Sequence, residues 1–278
     1  MFKKITIVGV GLIGGSIGLA VKKRKLAREV IGVGRRAVSI RKALRKKAID
    51  KGLLDLKKGV CGADLIIIAT AVDKVMPKIK EVTRYADKGA IIIDVNSTKE
   101  KVVSFANRVV KRGLFFVGTH PLAGSEQSGV LHAEKDLFKD SVCIITPAKK
   151  TNKNALEKIK KFWKALGARV EVMSPASHDK AVSNISHLPH ILSYALCNSV
   201  LNKELRLTGS GFKDTTRIAK SNPNMWSDIF MQNKRSILES ILKFKKELSL
   251  LESGVRSSKK LKLTKALISA KKKRDLIG

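Results

Sequence analysis

The chain has 278 residues, of which 44% are hydrophobic, and its 57 Lys and Arg residues exceed its 23 Asp and Glu residues by a formal net charge of +34. This length and apolar content exclude a disordered chain and allow one or two domains, and no apolar run approaches the ~20 residues of a membrane span. The charge suggests a nucleic-acid partner, but the basic residues are spread along the chain and aromatic residues make up only 5%, which leaves few platforms for stacking bases. We therefore interpret most of the charge as a solvated surface that steers anionic small molecules.

The start of the chain and its cysteines bear on the cellular compartment. The letters MFKK lead directly into a strand-like run, so we expect no signal peptide. The three cysteines, Cys61, Cys143 and Cys197, are isolated and form neither a metal-binding spacing nor a disulfide framework. We expect a cytoplasmic protein with no metal and no membrane partner.

The first predicted elements are a buried strand, Ile5–Val8, and a helix, Ile13–Lys23, joined by glycines. Gly9, Gly11 and Gly14 have the spacing G-x-G-x-x-G, in which the glycines allow a tight turn, a close approach to pyrophosphate and close packing of the helix on its strand. Amide groups at the start of the helix favour an anion. This context predicts a dinucleotide site, and the alternative is a tightly packed turn without a ligand.

The second strand, within residues 30–34, ends where a dinucleotide fold that prefers NAD carries an acidic residue. This chain has Gly34 there, followed by Arg35 and Arg36. No carboxylate would repel a 2′-phosphate, and two guanidinium groups could bind one through paired hydrogen bonds. The pattern favours NADP over NAD, although two adjacent arginines carry less weight in so basic a chain.

Strands and helices then alternate up to about residue 172, which predicts a parallel, doubly wound sheet of the Rossmann type. From residue 174 onward the periodicity is helical. We therefore predict an α/β fold with a dinucleotide-binding domain at 1–173 and an all-α domain at 174–278. The remaining predicted strands are Val30–Val33, Leu65–Ala69, Ala90–Asp94, Phe115–Val117, Ser141–Thr146 and Arg169–Val172, and the remaining predicted helices are Ile40–Lys47, Val75–Tyr85, Lys99–Lys111 and Asn154–Leu166.

Two polar stretches follow predicted strands, DVNSTKE at 94–100 and THPLAGSEQSG at 119–129. Ligands of open parallel sheets bind beyond the carboxyl ends of the strands, so Ser97 and His120 are candidate catalytic groups. Two further stretches, SHLPHILSYAL at 186–196 and GFKDTTRIAKSNPNMW at 211–226, lie in the helical half. Each has a structural alternative: a satisfied histidine at a turn, a pair of structural or metal-binding histidines, or an arginine that bridges helices.

These stretches together resemble the prephenate and arogenate dehydrogenase family of tyrosine biosynthesis. The resemblance rests on GVGLIGGSIGLA, DVNSTKE, HPLAGSEQSG, HDKAVSNISHLPH and GFKDTTRIAKSNPNMW, in the family's order, from Lys4 to about Trp226. It implies a nucleotide-binding domain followed by a helical domain that forms an intertwined dimer. It also implies oxidative decarboxylation of prephenate to 4-hydroxyphenylpyruvate or of arogenate to tyrosine, and the sequence leaves the choice between the two substrates open.

The resemblance assigns roles to single residues. His120 matches the catalytic histidine that takes the proton of the ring hydroxyl, Ser97 matches the serine that orients this hydroxyl and the nicotinamide, and Arg217 matches the arginine that binds a substrate carboxylate. Other expected pocket residues are His190, Ser125, Ser186, Trp226 and two acids with gating contacts, Glu126 and Asp214. The expected cofactor-binding residues are Gly9, Gly11, Leu12, Ile13, Gly14, Gly34, Arg35, Arg36 and Thr70. Gly34 departs from the family's usual acid, which puts NAD in doubt.

The last predicted helices carry an apolar stripe that a second copy could cover. About a hundred helical residues are few for a separate core, so we expect a homodimer, the alternative being a monomer whose stripe packs on the nucleotide domain. After Trp226 about fifty residues remain, so we expect no appended regulatory module. Any inhibition by tyrosine should then be competitive. The stripe comprises Ile237, Leu238, Ile241, Leu242, Phe244 and Leu248.

Two other assignments remain open. One is a β-hydroxyacid dehydrogenase, which is disfavoured because this chain has SHLPH where those enzymes carry a lysine on the first helix of the second domain. The other is a basic nucleic-acid-binding protein.

Overall fold

A computed structural model describes residues 2–125 and 127–277 of the chain. The chain forms two compact units, Met1–Asn233 and Lys234–Gly278. The first unit contains all eight strands of the described residues, in one sheet, with the order β3-β2-β1-β4-β5-β6-β7-β8. The strands are β1 Phe2–Val8, β2 Ala27–Val33, β3 Lys51–Leu53, β4 Leu65–Ile68, β5 Ile91–Asp94, β6 Phe115–Pro121, β7 Val142–Thr146 and β8 Arg169–Val172.

Alternate residues of the central strands face two separate cores. On β4, Leu65 and Ile67 belong to the core beneath α1 and α6, whereas Ile66 and Ile68 belong to the core beneath α3, α4 and α5. A strand with helices on both faces must be apolar on both, which explains the continuous run LIII. The predicted Rossmann-type α/β fold is thus confirmed. These helices are α1 Leu12–Lys23, α2 Ala37–Arg45, α3 Leu56–Val60, α4 Val75–Tyr85, α5 Glu100–Val109 and α6 Lys153–Ala165.

The prediction of a parallel sheet was wrong at one pair of strands, because β7 runs antiparallel to β6. The described part of the connection between them contains one short 3₁₀ turn, Val130–His132, and no helix that could return the chain for a parallel pairing. This pairing extends β6 through His120, which lies opposite Ile144 instead of following the strand. The short edge strand β3 was missed, because three residues of KGL carry too little pattern.

The described residues from 173 onward contain no strand, which agrees with the predicted helical region. A π-helical turn, Ser183–His187, joins helix α7, Pro175–Val182, directly to helix α8, Leu188–Asn198. Residues up to Asn233 nevertheless pack into the first unit: Gln232 accepts a 2.7 Å hydrogen bond from the Thr98 hydroxyl, and Asp179 accepts bonds from the start of α5. The domain division at 173/174 therefore stays a prediction, whereas the compact units divide at 233/234. The helices of this part are α7 Pro175–Val182, α8 Leu188–Asn198, α9 Ser210–Thr216 and α10 Pro223–Gln232.

The second unit consists of two long helices, α11 Lys234–Arg256 and α12 Lys260–Asp275. Gly254 of α11 faces Leu263 of α12 so closely that an added Cβ would lie 3.3 Å from the Leu263 Cβ. Large apolar side chains remain in water: Leu238, Leu242 and Leu261 are 55%, 58% and 70% exposed. Across the part of the chain that the structure describes, no helix combines the length and apolarity that a membrane crossing needs.

Candidate active site

The turn between β1 and α1 has the shape that a bound phosphate requires. Gly9 has φ of +97°, and an added Cβ would lie 2.5 Å from the Ala69 carbonyl oxygen, so only glycine fits. A Cβ on Gly14 would lie 2.2 Å from the Gly9 oxygen, whereas a Cβ on Gly11 would meet nothing within 4 Å. Gly11 thus borders open space at the start of α1, where the amides of Leu12 and Ile13 precede the first intrahelical bonds and no acidic side chain competes for them.

This turn forms one end of a cleft of about 680 Å³ above the carboxyl ends of β1, β2 and β4. Gly34, Arg35 and Arg36 line the cleft at the end of β2, and both arginines are exposed. Two further residues of the same wall, Ser39 and Lys42 on α2, were not predicted. Thr70 lines the opposite wall, and its buried hydroxyl has no hydrogen-bond partner among the described residues. The cleft therefore fits an extended anionic nucleotide, with cationic groups beyond the end of β2.

The register of the parallel strands brings the predicted catalytic residues to the same edge of the sheet. Val8, Ile68, Asp94 and Gly118 occupy equivalent positions on β1, β4, β5 and β6. The phosphate turn begins one residue after Val8, Ser97 lies three residues after Asp94, and His120 lies two residues after Gly118. His120 is buried, and Ser97 is half-buried. The phosphate turn and the predicted base thus belong to one sheet edge, as ligand binding to an open sheet requires.

His120 lies in a line of bonded side chains. Its Nδ1 is 2.8 Å from Nε2 of His178, and Nδ1 of His178 is 2.8 Å from Oδ1 of Asp179. Asp179 also accepts hydrogen bonds from the backbone amides of Lys99, at 2.7 Å, and Glu100, at 2.9 Å. Burial lowers the pKa of His120 well below its usual range, and His178 and the Lys99 ammonium lower this pKa further. His120 is therefore neutral near pH 7, as a proton acceptor must be.

Next to this line lies a fully buried ion pair. The Lys99 ammonium bonds to Oδ2 of Asp94, which also accepts a 3.1 Å bond from the Asn96 amide. Burial raises the pKa of Asp94 against the opposing effect of Lys99. Oδ1 of Asp94 and the Asn96 side-chain nitrogen have no partner among the described residues. Since buried polar groups are normally satisfied, these atoms mark a place where the sheet edge offers bonds to water or a ligand.

The predicted residues of the helical region form an aromatic cluster. His190 stacks on Trp226, with ring centroids 3.4 Å apart and planes inclined by 23°. His187 meets the same indole edge-on at 6.0 Å, and the Asn233 side-chain amide lies 3.2 Å from Nδ1 of His187. Nε2 of His187 and Nε1 of Trp226 are buried without partners among the described residues. Burial lowers the pKa of His187 to about 4, so this ring is neutral at pH 7.

The remaining predicted pocket residues differ in placement. The Ser186 carbonyl accepts a 2.9 Å bond from Nδ1 of His190. Burial lowers the pKa of His190, the Ser186 bond opposes this, and the Arg217 cation lowers this pKa further. Asp214 and Ser125 are exposed, and the Ser125 hydroxyl accepts a 3.2 Å bond from the Gln127 amide. Glu126 lies outside the described residues.

Several polar residues of this region had no predicted role, namely His178, Asp179, Lys99, Asp94 and Asn233. His178 and Asp179 stand in the family stretch HDKAVSNISHLPH, and Lys99 and Asp94 in DVNSTKE, so the motifs contain them. The contact between His120 and His178 could not be predicted, because 58 residues separate them in the sequence. The signal available in the sequence was a lysine five residues after a strand-end aspartate, Lys99 after Asp94.

Comparison with known proteins assigns both halves of the chain to one family. Residues 17–172 match the family model described as prephenate dehydrogenase, nucleotide-binding domain, and residues 174–269 match prephenate dehydrogenase, dimerization domain. Prephenate dehydrogenase of Bacillus subtilis is 38% identical over 251 residues, covering 88% of this chain and 68% of that protein.

Two solved structures are similar over the whole length. The Aquifex aeolicus prephenate dehydrogenase, solved in complex with hydroxyphenyl propionate and NAD+, has a TM-score of 0.94 and 32% identity, covering 100% of this chain and 99% of that one. Synechocystis arogenate dehydrogenase has a TM-score of 0.86 and 29% identity, covering 99% and 100%. The chain therefore belongs to the prephenate dehydrogenase family, which confirms the predicted dehydrogenase of the prephenate and arogenate type with a nicotinamide cofactor.

Proposed function

We propose that this chain catalyses the NAD(P)-dependent oxidative decarboxylation of prephenate or arogenate with His120 as the general base. The observation that carries the proposal is a buried, neutral His120 at the sheet edge that also holds the phosphate turn. The relative from Aquifex aeolicus, solved with a hydroxyphenyl compound and NAD+, supports the same ligand classes here.

The residues fit this reaction step by step. The bound nicotinamide supplies the hydride acceptor. His120 takes the proton of the C4 hydroxyl as C4 loses its hydride, and release of the C1 carboxylate as CO2 makes the ring aromatic. Ser97, at the same sheet edge, orients the hydroxyl, while Arg217 binds a carboxylate through its guanidinium. Loss of CO2 gives a strong thermodynamic drive, so alignment and one proton acceptor suffice.

For the cofactor, we propose a preference for NADP. Arg35 and Arg36 stand beyond the end of β2, where Gly34 replaces an acid, and Ser39 and Lys42 on the same wall of the cleft add a hydroxyl and a third cation. A 2′-phosphate is favoured by such a cluster of donors. The NAD+ bound in the Aquifex aeolicus relative makes a direct comparison of the two cofactors necessary.

We further propose a homodimer formed through the helical residues, in the cytoplasm, with no specific nucleic-acid partner. The match of residues 174–269 to a dimerization domain supports this assembly, as do the half-exposed leucines of α11.

The test is a rate comparison of prephenate and arogenate, each with NADP and with NAD. Reduced cofactor and CO2 should appear in equal amounts, and kcat/KM should be higher with NADP. Turnover of neither substrate with either cofactor would contradict the proposed reaction, and a clear preference for NAD would contradict only the cofactor proposal.

A further inference from the structure

The line of bonds behind His120 has a consequence for which nitrogen of that ring holds the proton. A carboxylate accepts hydrogen bonds and cannot donate them, so Nδ1 of His178, 2.8 Å from Oδ1 of Asp179, is the donor in that bond. Asp179 is fixed in this role because its two oxygens also accept the amides of Lys99 and Glu100 at the start of α5.

His178 is fully buried beside the Lys99 ammonium, and a second proton on its ring would place two cations together. Burial lowers the pKa of His178, the Asp179 hydrogen bond opposes this, and Lys99 lowers it further. A neutral His178 with its proton on Nδ1 presents a lone pair at Nε2. His120 must then donate from Nδ1 across the 2.8 Å contact, which leaves Nε2 of His120 as the acceptor.

We infer that His178 and Asp179 are positioning residues that hold His120 in the one tautomer able to accept the substrate proton at Nε2. The opposite arrangement, with Nε2 of His178 protonated, would force Nδ1 of His120 to accept and would put a hydrogen where the lone pair is needed. The backbone amides of α5 exclude that arrangement by holding Asp179 as an acceptor toward His178.

The same line stabilises the charge that forms in the reaction. As the hydroxyl O–H bond breaks, its proton binds to Nε2 of His120, and the hydride leaves C4 for the nicotinamide. The imidazolium keeps both of its protons, its Nδ1–H stays hydrogen-bonded to Nε2 of His178, and the Asp179 carboxylate balances the charge. The other ionisable groups that act on this region are Lys99 with its partner Asp94, His187, and Cys143, whose pKa burial raises so that the thiol stays neutral.

This inference rests on the proposed role of His120, but the tautomer can be measured without turnover. Nitrogen-15 spectra of the imidazole rings near pH 7, assigned with His120→Gln, should show Nδ1 of His120 protonated and Nε2 unprotonated. In His178→Leu this preference should be lost or reversed, whereas in His178→Gln the amide oxygen can accept the same bond and should retain it. His132→Gln, at an exposed position that lines the nucleotide cleft, removes a histidine outside the bonded line and should leave the His120 signals of the cofactor-free protein unchanged.

Kinetic measurements provide a second test of this inference. His178→Leu should lower kcat by at least about tenfold and by no more than the roughly 10⁴-fold that a misoriented catalytic histidine costs. KM and the cofactor Kd should stay within about twofold, and His178→Gln should recover part of the loss. A His120 protonated at Nε2 in the wild type, or a tautomer and kcat unaffected by His178→Leu, would overturn the inference. A wild type inactive on both substrates but with the expected tautomer would overturn only the proposed function.

Discussion

The two compact units differ in what their side chains contact within a single chain. In residues 2–233, His120, His178 and Asp179 are buried polar side chains that are bonded to one another. In residues 234–277 large apolar side chains such as Leu238 and Leu242 are more than half exposed. This difference underlies our two proposals, that the bonded side chains of the first unit handle the substrate proton and that the exposed apolar side chains of the last two helices meet a second copy of the chain.

The charge distribution sharpens this contrast. Residues 234–278 contain 14 Lys or Arg and four Asp or Glu, so two copies that bring their exposed leucines together also bring like charges together. In the first unit three cations occupy distinct places: Lys99 is buried against Asp94, and Arg35 and Arg36 line the cleft. These three cations of the first unit therefore have defined surroundings, whereas the net positive charge of the second unit opposes the association that apolar burial favours.

The largest expected effect comes from removing the base of the first unit. We predict that His120→Ala lowers kcat by about 10²–10⁴-fold, because a positioned general base contributes about that much. The cofactor Kd should stay unchanged, since the phosphate turn is formed by other residues. Stopped-flow or steady-state rates together with cofactor titration would check this. Near-normal turnover would remove His120 from the mechanism.

A smaller effect is expected at the substrate carboxylate. Arg217→Ala should raise KM by about 10- to 100-fold, because a lost charged hydrogen bond costs roughly 1.5–3 kcal/mol. Arg206→Ala, an exposed arginine on a neighbouring turn, is the matched control and should leave KM unchanged. If kcat alone fell in Arg217→Ala, the binding role would be wrong.

Acid should destabilise the network of the first unit. The pKa of His187 is about 4 in the folded protein against an ordinary 6.5, so between these values the unfolded chain binds a proton that the folded chain does not. The free energy of unfolding therefore falls as pH falls, by roughly 2 kcal/mol between pH 7 and pH 5 for His187 alone. Buried His120 and His178, whose pKa values are also lowered, act in the same direction.

Urea unfolding at the two pH values measures this effect. His187→Gln should reduce the pH dependence, whereas His132→Gln, at an exposed position, should preserve it. A stability that is constant or rises toward pH 5 would show that these histidines are not buried in neutral form.

The smallest effect is expected for cofactor choice. Replacing both Arg35 and Arg36 with alanine should lower kcat/KM for NADP by at least about tenfold, the loss of one charged hydrogen bond, with little change for NAD. Arg41→Ala, on the same helix α2, is the control and should leave the ratio unchanged. An equal loss of kcat/KM for both cofactors would indicate that the two arginines bind the pyrophosphate, which NAD and NADP share, instead of the 2′-phosphate.

Local pattern predicted most of the first unit. The glycine spacing, the apolar runs and the helical periodicity gave seven of the eight strands, because a sheet buried on both faces needs continuous apolar strands. The antiparallel β7 could not be predicted, because the direction of a strand depends on the path of its connection. His178 and Asp179 were missed for a related reason: their function arises from contacts with β6 and α5, which the sequence separates by 58 to 80 residues.

The contrast between the two units is tested most directly by disrupting the surface of α11 while measuring the function of the first unit. We expect the wild type to be a dimer by light scattering at micromolar concentration. Leu238→Glu combined with Leu242→Glu should give a monomer under the same conditions, and the cofactor Kd should stay unchanged. Lys245→Glu, a charge change at an exposed site of the same helix, should remain a dimer. A doubly substituted chain that stays dimeric, or a monomer that no longer binds the cofactor, would contradict the division of chemistry and assembly between residues 2–233 and 234–277.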